Sequence, residues 1–131
     1  MKKHLLIIYH SQSGNTAQMA AAVMRGAEAE TDVETRLLKA FDADLEDLRW
    51  ADGLLFGTPE NFGNMSGALK DFFDRTYYPA EPYQLNLPYG LFISAGNDGS
   101  GAVREIDRIA KGYPLRKISE PLIIKGDINQ Q

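Results

Sequence analysis

The stretch Leu5-Leu6-Ile7-Ile8-Tyr9-His10-Ser11-Gln12-Ser13-Gly14-Asn15-Thr16 decides how this chain is read: an apolar run, then a hydroxyl-rich turn holding one glycine. Residues 16–30 follow with Ala17, Met19, Ala20, Val23, Met24 and Ala27 at helical spacing among good helix formers, which predicts a helix. A helix N-terminus gathers free backbone N–H groups and the positive end of the macrodipole, so a loop wrapped there can hold an anion. Ser11, Ser13 and Thr16 add hydroxyls, Gln12 and Asn15 add amides, and Gly14 can take a positive φ or let the backbone come close. The same composition can also serve only as a helix cap.

The loop contains no Lys or Arg. A triphosphate loop needs the lysine of GxxxxGK[ST], and a dinucleotide fingerprint needs GxGxxG; neither is present. A single terminal phosphate fits the loop best.

Working outward, further apolar runs recur at 33–38, 53–56, 91–94 and 121–124. The runs at 5–9, 53–56, 91–94 and 121–124 are nearly continuous, as in strands covered on both faces. Val33-Glu34-Thr35-Arg36-Leu37 alternates, which suits an edge strand. Helices are predicted at 44–50, at 66–75 with Ser66 as cap, and at 102–111 before Gly112 and Pro114. Alternating strands and helices give a parallel α/β sheet. Residues 76–89, with three prolines and four tyrosines, read as an ordered loop.

In a doubly wound sheet, ligands bind beyond the carboxyl ends of the strands at the switch in strand order. Two more unusual loops belong at that edge: Gly57-Thr58-Pro59-Glu60-Asn61-Phe62-Gly63-Asn64-Met65-Ser66 and Ser94-Ala95-Gly96-Asn97-Asp98-Gly99-Ser100-Gly101. Their glycines let backbone approach a flat ring, with amides and carbonyls reading its polar edge and Phe62 against its face or rim. An isoalloxazine suits such a site. Each loop alone could be ordinary turn chemistry; the coincidence of all three at one edge is the signal.

These residues resemble the flavodoxin-like superfamily, in its NAD(P)H-dependent FMN reductase and Trp-repressor-binding-protein-like quinone oxidoreductase branch. Three segments carry the resemblance: residues 11–16 are similar to the phosphate loop [ST]-x-[ST]-G-x-[ST], residues 57–66 to G-[ST]-P-x-x-F-G-N-M-S, and residues 94–101 to a glycine-rich turn. The resemblance implies a flavodoxin-like, doubly wound, five-stranded parallel sheet of order 2-1-3-4-5. It implies FMN as cofactor, with Ser11, Gln12, Ser13, Gly14, Asn15 and Thr16 on the phosphate. Pro59, Glu60, Asn61, Phe62 and Gly63 would lie on one side of the ring, and Ala95, Gly96, Asn97, Asp98 and Gly99 on the other. Hydride would pass from NAD(P)H through the flavin to a quinone or similar small acceptor. The alternatives are a flavodoxin-type one-electron carrier and a non-catalytic relative.

The only histidines are His4 and His10, so no catalytic histidine is expected. His10 can approach the phosphate or merely pack. Tyr83 is the candidate aromatic over the ring, and Trp50 a packing residue. Asp42, Asp44, Glu46 and Asp47 read as a solvated helix, not a metal site. The family's fifth helix has no room after 121–124, which predicts an open apolar sheet face and self-association, or a shortened chain.

The 131 residues, 44% of them hydrophobic, suit one domain spanning 1–131. The absence of cysteine excludes disulfides, thiolate metal sites and a thiol nucleophile. A formal charge of −4 and a pI near 5.1 argue against nucleic-acid or anionic-membrane partners. The apolar stretch after Lys2 and Lys3 is too short for a signal peptide, and no run is long enough to span a bilayer, so a cytoplasmic protein is expected.

Overall fold

A computed structural model describes residues 2–126. Strands β1 (Lys3–Tyr9), β2 (Val33–Lys39), β3 (Gly53–Pro59) and β4 (Leu87–Ala95) pair in parallel in the order β2-β1-β3-β4. The last position holds two short strands, β5 (Leu115–Lys117) and β6 (Leu122–Lys125), both parallel to β4. The sheet therefore has the expected order, with its fifth position split in two. β5 escaped the sequence reading because it is three residues long and only Leu115 is buried.

Helices α1 (Asn15–Glu28), α2 (Leu45–Trp50), α3 (Gly67–Ala80) and α4 (Ser100–Ala110) connect the strands. The two sheet faces are covered unequally. Leu6, Ile8, Leu54, Phe56, Leu91 and Ile93 join residues of α2, α3 and α4 in the larger core, where Phe56 meets Phe73 at 5.2 Å and Phe72 at 6.4 Å. Burying a ring of this kind is worth about 1.5–3 kcal/mol, so this face dominates the stability. The opposite face holds Ile7 and Phe92 under Met19 and Ala20 of α1. Leu122 stays 52% exposed near that face, while Leu55 and Ile124 are half-buried. The expectation that no fifth helix follows concerns residues 127–131, which lie outside the described residues.

The loop expected at 76–89 is a correction. α3 continues through Thr76 to Ala80, a 3-10 turn covers Glu81–Tyr83, and β4 already begins at Leu87. Pro79 does not stop α3, because it sits in the last turn and tertiary contacts hold the helix there. Arg75 donates to the carbonyls of Ala40 and Ala43 at 2.9 and 3.0 Å, and Thr76 bonds to the buried Tyr113 hydroxyl at 2.8 Å. Packing overrides local propensity here.

Candidate functional site

All strands run the same way, so the loops after β1, β3 and β4 meet at one edge. The loop after β1 ends at Gly14, the N-cap of α1, whose φ of 102° is readily available only to glycine. Gly14 has no side chain with which to cap that helix end, and Ser11 supplies one from outside the helix. Ser11 Oγ accepts from the Ala17 amide at 3.1 Å and keeps its own proton to donate outward. Thr16 is turned inward: it is buried, and its hydroxyl bonds that of Ser94 at 2.7 Å. Thr16 therefore fastens α1 to the end of β4, a role the sequence did not reveal.

The loop after β3 is held at both ends. The Thr58 hydroxyl accepts from the Ser66 amide at 2.9 Å, and Ser66 Oγ caps α3 by accepting from Leu69 at 3.2 Å. Between them Asn61 and Asn64 pair through both amides, at 2.8 and 3.0 Å, around a two-residue turn. Phe62 and Gly63 in that turn have φ values of 54° and 72°, as a type I′ hairpin turn requires. Glycine takes such a φ freely, whereas phenylalanine is strained there. The Phe62 ring is fully exposed.

Glu60 joins this loop to the next one. Its carboxylate accepts from the amides of Gly99 (2.9 Å), Gly101 (2.9 Å) and Ala102 (3.3 Å), and so caps α4 together with Asp98, which accepts from the Ser100 amide at 3.3 Å. Its own amide donates to the Ser94 carbonyl at 2.8 Å. The two loops touch closely at Gly101, where a Cβ would come within 2.1 Å of the Gly63 carbonyl oxygen. The amides of Glu60, Asn61 and Gly99 are thus engaged inside the protein, so the free donors at this edge come from the remaining positions of the two loops. Asn61 Nδ2 also donates to Gln12 at 3.1 Å, linking the ring loop to the phosphate loop.

These contacts enclose a cavity of about 490 Å³. It is lined by Gln12, Ser13 and Asn15 from the first loop, Pro59, Glu60 and Asn61 from the second, and Ala95 and Gly96 from the third. Ser94, the first residue of the expected third loop, and Gly126, which was not foreseen, complete the wall. Gly126 could have been anticipated from its place just past the last apolar run, at the same edge. Phe62, Gly63, Asn97, Asp98 and Gly99, and Ser11, Gly14 and Thr16, belong to the same three loops and do not line the cavity. The Asp98 carboxyl is held below the usual carboxylate range by the hydroxyl and amide of Ser100, with Lys125 and Arg104 near enough to contribute.

The other residues singled out in the sequence fall elsewhere. Tyr83 lies before β4, at the amino edge of the sheet, with its ring 4.3 Å from the Arg49 guanidinium; the expectation that it covers the ring site is corrected. His10 meets the edge of Phe41 at 6.4 Å, outside the cavity. Trp50 stacks on His4 at 4.2 Å, a packing role. Asp44 and Asp47 form the capping box of α2.

A doubly wound parallel sheet with a helix N-terminus and two backbone-rich loops around one cavity is the flavodoxin-like arrangement. The family model described as NADPH-dependent FMN reductase matches residues 3–109, and the chain belongs to that family. The family brings FMN as its cofactor. Among similar proteins, a flavodoxin of Aquifex aeolicus is 44% identical over 70 residues, covering 53% of this chain and 38% of the relative. An NAD(P)H dehydrogenase (quinone) of Acidithiobacillus ferrooxidans is 33% identical over 92 residues, 55% of this chain and 46% of that one. The chain spans about half the length of the curated relatives it matches. The fold agrees with a flavodoxin from the domain Archaea, with a TM-score of 0.81 at 24% identity, covering 95% of this chain and 84% of that structure.

Proposed function

We propose that residues 1–131 form one FMN-binding unit of a cytoplasmic NAD(P)H-dependent oxidoreductase that reduces a quinone or similar small acceptor. The observation that carries this reading is the single cavity walled by all three loops. The residues fit the cofactor. Gln12, Ser13, Asn15 and the first amides of α1 ahead of Ala17 suit a phosphate monoester, and the loop has no cation for a polyphosphate. Pro59, Glu60 and Asn61 face Ala95 and Gly96 across the cavity and suit a flat ring, with Phe62, Gly63, Asn97, Asp98 and Gly99 next to them in the same loops. Bound there, FMN supplies two-electron redox chemistry between a nicotinamide and the acceptor.

The protein's own part is orientation and electrostatics. In this reading the loop amides not already bonded within the protein stabilise charge at the ring edge, and the exposed Phe62 side chain contacts the ring's face or rim. No side chain is assigned as an obligatory acid or base. No nucleic-acid or membrane partner is proposed; among the described residues no helix is long and apolar enough to cross a membrane. Self-association belongs to the reading, supported by Leu122 beside half-buried Leu55 and Ile124. Sedimentation as a monomer would remove that element.

The test begins with quenching of FMN fluorescence by the purified protein, followed by anaerobic stopped-flow mixing of the loaded protein with NADH and NADPH. Quenching and rapid bleaching of the flavin are expected. Absence of quenching would make the chain a non-binding relative, and binding without bleaching by either nicotinamide would make it a one-electron carrier.

A further inference from the structure

A second pocket opens at the same sheet edge, where β1 and β2 end side by side with Tyr9 and Lys39 as register partners. It measures about 480 Å³. Tyr9, His10 and Ser11 line it from the end of β1, and Lys39, Phe41 and Asp42 from the end of β2. It shares no lining residue with the cofactor cavity, which meets the phosphate loop at Gln12, Ser13 and Asn15 instead.

The wall on the β2 side is fixed by distant contacts. Ala40–Asp42 is a 3-10 turn, and Arg75 of α3 holds the carbonyls of Ala40 and Ala43, on either side of Phe41 and Asp42. Ala40 and Ala43 are buried, yet Phe41 between them is 65% exposed. Its ring meets the edge of His10, itself only half-buried. A pinned turn that holds a phenylalanine out of the core offers a ligand an aromatic face already in place.

The fold makes equally little use of the pocket's polar groups. Asp44 and Asp47 form the capping box of α2 and Glu46 pairs with Arg49, but the Asp42 carboxylate has no hydrogen bond or ion pair among the described residues. The same is true of the Lys39 ammonium and the Tyr9 hydroxyl. A cation and a carboxylate beside aromatic walls narrow the chemistry of an occupant. An aromatic acid suits Lys39 and is repelled by Asp42, an aromatic amine has the opposite fault, and an uncharged ring leaves both charges unmatched. A purine nucleoside monophosphate gives each group a partner. Its base stacks on the aromatic side chains, its ribose hydroxyls donate to a carboxylate, and its phosphate takes an ammonium.

The geometry points to a second nucleotide site, separate from the FMN site, that takes a purine nucleoside 5′-monophosphate such as AMP. The base lies against Phe41 and Tyr9, the ribose diol on Asp42 and the phosphate on Lys39. This does not rest on the oxidoreductase reading, because Lys39, Phe41 and Asp42 lie outside the cofactor cavity.

Calorimetric titration of the FMN-loaded chain with AMP, adenosine, 2′-deoxy-AMP and ribose 5-phosphate tests the site. The proteins are the unaltered chain, F41A, K39A, D42A and the control R25A on α1. With the cofactor cavity filled, AMP is expected to bind at one equivalent, and ribose 5-phosphate roughly tenfold or more weaker because it has no base to stack. F41A weakens AMP by roughly tenfold for the same reason. K39A removes the advantage of AMP over adenosine, D42A removes its advantage over 2′-deoxy-AMP, and R25A leaves all four affinities unchanged. Phe41, Lys39 and Asp42 are exposed, so the fold survives their truncation, and FMN binds at one equivalent with equal affinity in all five proteins. No heat with AMP, unchanged AMP affinity in both F41A and K39A, or a second equivalent of FMN that F41A abolishes would overturn the proposal. If the chain takes no FMN, the functional reading fails, and AMP titration of the apo proteins still decides the pocket: a loss of affinity in F41A and K39A supports it, and equal affinity in all five overturns it.

Discussion

Glu60 Oε2 lies 2.9 Å from the amide of Gly101, so a side chain from the loop after β3 closes the first turn of α4. With the bonds to Gly99 and Ala102, this carboxylate is a cap, an ion at a helix dipole and a tie between the two ring loops. Removing it leaves three amides without their acceptor, and unsatisfied buried donors cost about 1–3 kcal/mol each. E60A is therefore expected to lose about 2–4 kcal/mol of stability, allowing for water at the rim. E60Q keeps one acceptor oxygen and turns an NH2 group toward an amide, and is expected to lose about 1–2 kcal/mol. Both variants release the ring loops, so FMN affinity falls roughly tenfold or more. Urea unfolding of the apo protein and FMN fluorescence titration measure the two effects; unchanged affinity in E60A would show that the tie does not shape the site.

Phe62 combines a positive φ of 54° with a fully exposed ring. A non-glycine residue in the left-handed region costs about 1–2 kcal/mol, and nothing in the described residues repays it through packing. F62G relieves the strain and adds about 0.5–1 kcal/mol of chain entropy to the unfolded state, for a net gain of about 0.5 kcal/mol. Ligand binding moves the other way: losing the ring is expected to weaken FMN roughly tenfold. Opposite signs for apo stability and FMN affinity identify a residue kept for the ligand. A drop in both, in the same titrations, would make Phe62 a structural residue.

The sheet order and the edge carrying the site were legible because the information is local. Nearly continuous apolar runs mark buried strands, and Gly14 and Ser66 punctuate the starts of α1 and α3. What was not legible depends on contacts between distant residues. Thr16 is expected among the phosphate residues, and nothing in the sequence signals that its hydroxyl also bonds Ser94, 78 positions away. Glu60 is expected beside the ring and lines the cavity, and what the sequence hid is that its carboxylate reaches 39 to 42 positions along to cap another helix. Tyr83 read as a ring cover because its segment looked like a loop, and packing around Arg75 and Tyr113 extended α3 and sent it to the opposite edge. Spacing reports the face of one element; it does not report which polar atoms meet across the sheet.

Tyr89 and Tyr113 link the core to alkaline pH. Burial pushes both phenols above the ordinary value of 10.0, aided at Tyr89 by its hydrogen bond to Asp107. A raised folded-state value means that above pH 10 the unfolded chain ionises while the native phenols stay neutral. The unfolded state then binds fewer protons, so stability is intact below about pH 10 and falls as pH rises beyond it. Each phenol contributes up to about 1.4 kcal/mol per pH unit in that range. Denaturant midpoints measured from pH 8 to 11 are expected to decline above 10. The decline should be shallower in Y89F and in Y113F, after allowance for the lost hydrogen bonds at pH 8. Equal slopes in all three proteins would contradict the assignment.

Thr16 and Ser94 form the remaining test, because their bond is buried beneath the cavity and ties the phosphate loop's helix to the strand that ends at the ring loop. T16V preserves shape and removes the hydroxyl, leaving the buried Ser94 hydroxyl without this partner. A loss of about 1–2 kcal/mol is expected, or roughly 3–6 °C in melting temperature for a chain of this size. T16S restores the hydroxyl at the cost of one methyl and should recover most of the hydrogen-bond contribution. FMN affinity distinguishes the two roles considered for Thr16. If the hydroxyl serves only the protein, T16V weakens FMN by no more than a few-fold, through loosening of α1 against β4. If it contacts the phosphate directly, the loss exceeds tenfold and corresponds to a charge-assisted bond of about 1.5–3 kcal/mol. The inward orientation of Thr16 predicts the smaller loss, and a fluorescence titration of T16V reads it directly.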